Sequence, residues 1–247
     1  MAVTWVAAGA LAGSNDPGTT LAVTAPACAA NDILIACLLW NRNAPTAVGI
    51  TAPDGTWTEV ISGFRNSSTS SADRAYIVFW KLATGSGGSF TFTKAEDDSK
   101  LFSGVIGVWR GQHLTVPIDA TAPGKTDGTS AADATSFPAF DPTSTDNETV
   151  FVAFYADNAT AYSAAMSNDT NPDCTIRWDL ESSAGPGNSI ACTSGPNDGT
   201  AIAARTWASN SDTNNESSGV VFALVAAAVA AGPAIPVLTR QYRERWS

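Results

Sequence analysis

The chain has 247 residues, 44% hydrophobic and only 15% charged, with 20 glycines and 13 prolines. That composition excludes charge-driven disorder and collagen-like repeats, and the length suffices for a large core without disulfide or metal staples. A formal charge of −10 opposes counterion-release binding to a phosphate backbone, so nucleic acid is not an expected partner.

Taken in chain order, Met1-Ala2-Val3-Thr4-Trp5 has no positive segment leading into an apolar stretch, which predicts synthesis in the cytosol without a secretion signal. Residues 2–12 fit either a first strand or an arm. Strands are predicted at 32–40, 56–61, 74–82, 89–93 and 102–110, then at 149–155, 175–180, 189–193, 201–207 and 219–225. Each is short, rich in β-branched and aromatic residues, and bounded by Gly, Asn, Asp, Ser or Pro. In 74–82, Tyr76, Val78, Trp80 and Leu82 form the expected core face, opposite Ala75, Ile77, Phe79 and Lys81. Between the two groups, residues 112–147 carry Pro117, Pro123, Pro138 and Pro142, which predicts an extended crossover or surface loop.

No window carries a helical apolar stripe, and the longest apolar run, residues 220–231, is too short to cross a bilayer, so no membrane partner is expected. The expected fold is all-β, a jelly-roll-like β-sandwich forming one domain over residues 1–230. Residues 32–37 echo 148–153, and 103–108 echo 218–223. Six-residue likenesses between apolar strands do not by themselves divide the domain.

From residue 231 to 247 the chain reads as an extended C-terminal arm, because Pro233 and Pro236 disfavour helix. The arm carries +2 against −12 for the rest of the chain. Its Ile235, Val237, Leu238, Arg240, Tyr242, Arg243, Arg245 and Trp246 are the candidate partner-binding residues, since aromatic and arginine anchors suit a docking segment. The other reading of these side chains is packing back on their own domain.

Catalytic chemistry is thinly supplied. His113 is the only histidine and no Gly-x-Ser-x-Gly elbow accompanies it, so no catalytic residue is assigned. Among the six glutamates, Glu59 with Glu181 or Asp179 could face one cleft, but no spacing selects them. Cys28, Cys37, Cys174 and Cys192 show no CxxC spacing, so no zinc site is expected, and cytosolic synthesis predicts free thiols. The Asn/Asp clusters lack EF-hand spacing, and no metal or cofactor is assigned. Of the eight tryptophans, Trp40, Trp80, Trp109 and Trp178 are expected in the core. Trp57 and Trp207 stand beside turns and are the candidate glycan-binding pair, because an exposed indole can stack on a sugar ring.

One order of segments carries a resemblance: Asn31-Asp32-Ile33-Leu34-Ile35-Ala36, then Ala52-Pro53-Asp54-Gly55-Thr56-Trp57, then Ala75-Tyr76-Ile77-Val78-Phe79-Trp80-Lys81-Leu82. Phe90-Thr91-Phe92-Thr93, Gly104-Val105-Ile106-Gly107-Val108-Trp109-Arg110-Gly111 and Pro117-Ile118-Asp119 follow. Over residues 30–120 this order resembles a family of β-sandwich virion structural proteins of tailed bacteriophages. The resemblance implies a non-enzymatic protein on the virion surface, foremost a capsid decoration (cement) protein that clamps adjacent shell subunits. The implied partners are the major capsid protein or another virion protein, and further copies of the chain in a symmetric oligomer such as a trimer. The alternative is a tail-fibre or tail-tip carbohydrate-binding module that recognises host surface glycans.

Overall fold

In the computed structural model the residues described are 2–14, 18–42, 45, 47–65, 73–96, 98, 100–127, 134–156, 166, 172–181, 188–208 and 217–228. They form β-strands and connections, with no helix among them. The first half holds β1 (Thr4–Ala8), β2 (Ala12–Ser14), β3 (Thr20–Thr24), β4 (Ile33–Asn41), β5 (Ile50–Thr51), β6 (Thr58–Arg65), β7 (Arg74–Leu82), β8 (Ser89–Lys94) and β9 (Phe102–Arg110). The second holds β10 (Gly124–Asp127), β11 (Ala134–Phe137), β12 (Asn147–Ala156), β13 (Thr175–Glu181), β14 (Asn188–Asn197), β15 (Arg205–Ala208) and β16 (Ser217–Val225).

All ten expected strands are present, and the structure adds six. Residues 2–12 supply β1 and β2 at the edge of the first sheet, settling the choice between strand and arm in favour of strand. Residues 112–147, expected as an unpaired crossover, contain β10, β11 and an Ile118–Leu224 bridge. Prolines were the reason for that expectation, yet Pro123 precedes β10 and Pro138 follows β11, where no ladder hydrogen bond is lost.

The strands form four layers. One large antiparallel sheet runs β1-β9-β4-β7-β6 with β2 also on β9, the other runs β10-β16-β12-β14-β13, and smaller sheets β3-β8-β5 and β11-β15 accompany them. The large sheets face each other: Ile35, Cys37, Leu39 and Val78 of the first share one cluster with Val150, Val152, Phe154 and Cys192 of the second. The outer face of the first sheet packs Leu38, Trp40 and Phe79 against Val23 and Phe92 of its small sheet. On the far side, Phe151, Tyr155 and Ala191 meet Phe137 and Trp207. β7 therefore has two core faces where the sequence predicted one, and Ala75, Ile77 and Phe79 are as buried as Tyr76 and Val78, while Trp80 is only half-buried. Burial on both sides is why the central strands read as continuous apolar runs.

The two halves repeat one pattern. β4 pairs with β7 and β9, β6 with β7, and β3 with β8; correspondingly β12 pairs with β14 and β16, β13 with β14, and β11 with β15. Both β6 and β13 skip one residue of the ladder, Val60 and Arg177, at the same place in the pattern, opposite Val78 and Cys192. Within the first half, β1-β9-β4-β7 opposite β3-β8-β5 is a jelly-roll order with β6 placed beside β7. The echo between residues 103–108 and 218–223 is in register, because Gly104 faces Leu38 as Gly219 faces Ala153. The other echo slips by one residue: the ladders align Ile35 with Val150, hence Asp32 with Asn147 and not with Glu148. A slip of one would exchange the two faces of the strand.

Polar contacts cross the central core in a matching way. Buried Arg74 at the start of β7 donates from Nε to Ser218 Oγ at 3.1 Å, and its counterpart Asn188 at the start of β14 donates to Ser103 Oγ at 3.3 Å. Ser103 and Ser218 are themselves counterparts, so the halves are related by a pseudo-two-fold axis along the strands. β1 lies over β13, and β6 over β10. One end of the molecule accordingly gathers residues 25–32, 83–88, 111–123, 138–146, 198–204 and 226–228.

Gly104 and Gly219 let the small sheets approach. A Cβ on Gly219 would lie 2.1 Å from the Ser136 carbonyl oxygen, whereas one on Gly104 would meet the Leu38 side-chain end at 2.5 Å. Gly219→Ala is expected to cost about 3 kcal/mol and Gly104→Ala about 1 kcal/mol, because backbone yields less readily than a methyl group. Urea denaturation of both variants measures the difference; equal costs would contradict this packing.

Candidate functional site

The turn-bearing end concentrates the surface features. Each half forms a depression between its two turns. In the first it has about 230 Å³ and is lined by Cys28, Lys81, Thr84, Gly85 and Phe90. In the second it has about 310 Å³ and is lined by Asp146, Pro196, Asn197 and Asp198. Asp146 also borders a groove of about 410 Å³ running past His113, Thr145, Val225 and Ala228. The turns are built alike: Asp32 Oδ2 accepts the Ala29 N–H at 2.7 Å, and Asn147 Nδ2 donates to the Ser144 carbonyl at 2.9 Å, each reaching back three residues.

Asp119 fixes the groove wall. Only 6% exposed, its carboxylate accepts the N–H groups of Thr121 at 2.8 Å, Thr143 at 3.1 Å and Ser144 at 2.8 Å, and the Thr143 hydroxyl at 2.8 Å. Burial would push this carboxyl up, but hydrogen bonds from Ser144, Thr121 and Thr143 outweigh it and hold it well below the usual carboxylate range. Beside the other turn, a two-pronged hydrogen bond from Arg110, at 2.7 Å on each oxygen, likewise holds Asp32 low.

His113 Nδ1 accepts the N–H groups of Thr115 at 3.3 Å and Val116 at 3.1 Å, which places the proton of the neutral ring on Nε2. It is thus a loop-shaping residue. Leu114 and Val116, on that same loop, are 50% and 54% exposed, which makes them with Phe64 the exposed large hydrophobics among the described residues. The sequence reading missed Leu114, Val116, Asp119 and Asp146. Two apolar residues inside the polar, proline-rich stretch 112–147 were the available signal.

The tryptophan pair is corrected. Trp57 is 6% exposed and edge-on to Phe90 at 5.1 Å and Phe92 at 5.4 Å, with Lys81 Nζ 5.4 Å above it. Trp207 is fully buried beneath the second large sheet. Standing beside a turn in sequence does not place a ring outside when a small sheet covers it, so neither can stack on a sugar. The two also belong to separate outer cores, on opposite sides of the molecule.

Glu59 and Glu181 are exposed on the edge strands β6 and β13. Glu148, by contrast, is buried, accepting from Arg177 Nη2 at 2.9 Å and Ser194 Oγ at 2.6 Å. No disulfide joins Cys28, Cys37, Cys174 and Cys192, and burial pushes the Cys37 thiol up. Among the described residues no three His, Cys, Asp or Glu side chains converge as a metal site. Ile235, Val237, Leu238, Arg240, Tyr242, Arg243, Arg245 and Trp246 lie outside the described residues. Comparison with known proteins finds no matching family model, no matching curated protein and no matching solved structure.

Proposed function

We propose that the chain is a structural protein of a tailed-bacteriophage particle, a capsid decoration protein that clamps adjacent shell subunits and catalyses no reaction. The observation that carries this reading is the duplicated turn-bearing end. Turns 25–32 and 83–88 recur as 139–147 and 198–204 across the pseudo-two-fold axis, on one body held by a shared core. A stiff body with two equivalent contact regions at fixed spacing suits the bridging of two identical neighbours. Once one region is engaged the second binds at high effective concentration, so two weak contacts give a tight clamp. The order of segments over residues 30–120 supports the same reading. The basic, aromatic residues 240–246 provide a further link from an acidic body to a neighbour. Burial of Trp57 and Trp207 removes the residues on which a glycan-binding reading rested.

The test is stoichiometry in purified particles of the phage that encodes the chain, by quantitative peptide mass spectrometry. A copy number comparable with that of the major shell protein is expected. Absence from particles would overturn the virion assignment, and a ratio far below the shell protein would overturn the clamp and move the chain to the tail.

A further inference from the structure

We infer that the groove between His113 and Asp198 is the docking site for the C-terminal segment of a second copy of this chain, exchanged reciprocally in a two-fold dimer. The inference goes beyond the virion reading and does not depend on it; it gives the second half's turn region an occupant in solution that a shell subunit would have to displace.

Three observations converge on this occupant. The groove past His113 and the depression beside it share Asp146: the exposed Leu114 and Val116 follow His113 on the loop at one side, Asp198 lines the other side, and no Lys or Arg is among the lining residues. The segment beyond Ala228 has the complementary order, Ile235, Val237 and Leu238 followed by Arg240, Arg243 and Arg245. Ala228, from which this segment continues, itself forms part of the groove wall.

That starting point favours a second copy over the same molecule. Pro233 and Pro236 favour extended chain, which advances roughly 3 Å per residue. An extended segment would carry the apolar triplet about 20–30 Å from Ala228 and the arginines about 35–50 Å. They would reach the groove they start from only by reversing, but would reach the same groove of a copy facing them. Reciprocal exchange satisfies both grooves and closes, as a two-fold interface must. Each Arg–Asp contact at such an exposed site is weak alone, so binding needs the apolar pair and the charges together.

The experiment uses the full chain. Sedimentation equilibrium should find a dimer that weakens with added salt, because exposed charge pairs are screened. Asp146→Lys with Asp198→Lys should weaken it by at least about tenfold by setting like charges against the arginines. Adding Arg243→Glu and Arg245→Glu to that variant should restore association. Leu114→Ser with Val116→Ser, surface changes that leave the fold intact, should also weaken it. A monomer at all concentrations, or a dimer indifferent to these changes, would overturn the proposal. A photo-crosslinker at position 242, in an equal mixture of 15N-labelled and unlabelled chains, separates the occupants. Mixed-isotope crosslinks to the 113–116 loop are expected; same-isotope crosslinks alone mean the arm folds onto its own groove and overturn the exchange.

Discussion

Trp109→Ala is expected to lower the stability of the whole chain by about 3–5 kcal/mol, the range for removing a large buried aromatic side chain. Fully buried Trp109 sits edge-on to Trp5 at 4.7 Å and to Trp178 at 5.9 Å, while Trp5 and Trp178 are 5.5 Å apart. Trp5 and Trp109 belong to the first large sheet and Trp178 to the second, so the cavity would open between the halves. Gly107 makes the seat for this group, since a Cβ there would lie 2.5 Å from the Trp178 ring. Because the core is shared, urea unfolding followed by circular dichroism and by tryptophan fluorescence should give one coincident transition in both parent and variant. Two separate transitions, or a loss below about 1 kcal/mol, would contradict a common core. Trp109→Phe should cost much less, because it keeps most of the apolar volume and removes an indole N–H with no hydrogen-bond partner among the described residues.

Asp119→Ala is expected to cost about 3 kcal/mol near neutral pH, because it strands the N–H groups of Thr121, Thr143 and Ser144 together. The parent contribution depends on pH in a definite direction. The folded carboxyl titrates below its unfolded value of about 3.9, so its stabilisation is fully present above that value. It is lost as pH falls from about 4 towards the folded value. Urea midpoints taken between pH 3 and 7 should therefore drop at the acid end in the parent protein. The alanine variant should show a visibly smaller drop, because Asp32, Asp54 and Asp198 are also held low and act in the same sense. Parallel pH profiles for the two proteins would show that Asp119 is not held as described.

What the sequence disclosed follows from how each element is buried. The ten strands it announced include β4, β7, β9, β12 and β16, which lie in the large sheets and carry long apolar runs, and β14, which is equally buried but apolar only over Ile190-Ala191-Cys192. The six it concealed are edge or short strands such as β2 and β11, whose Ala, Gly and Ser content carries no apolar period. The repeat was legible only as two faint echoes, one of them a residue out of register, because the halves share positions and burial more than residue identities. Trp178 met the expectation of a core ring, whereas Trp207 showed that a neighbouring turn says nothing about a covering layer. The groove was invisible because His113 and Asp146 come together only through their hydrogen bonds to Val225 and Ala226, and Asp146 and Asp198 only through the pairing of Asn147 with Asn197.

The shared core also has a consequence for how the chain is made. When the ribosome has delivered residue 110, the first large sheet has all its strands, but the face carrying Ile35, Cys37, Leu39 and Val78 has nothing to cover it. The matching strands lie about 115 residues later, roughly 6–23 s at ordinary rates of synthesis. Throughout that interval a newborn chain presents a wide apolar sheet to other newborn chains whose sheets have the same pattern. Mispairing between neighbours on one messenger is then the chief hazard of production, and a chaperone that shields the first half until its duplicate arrives would raise the yield.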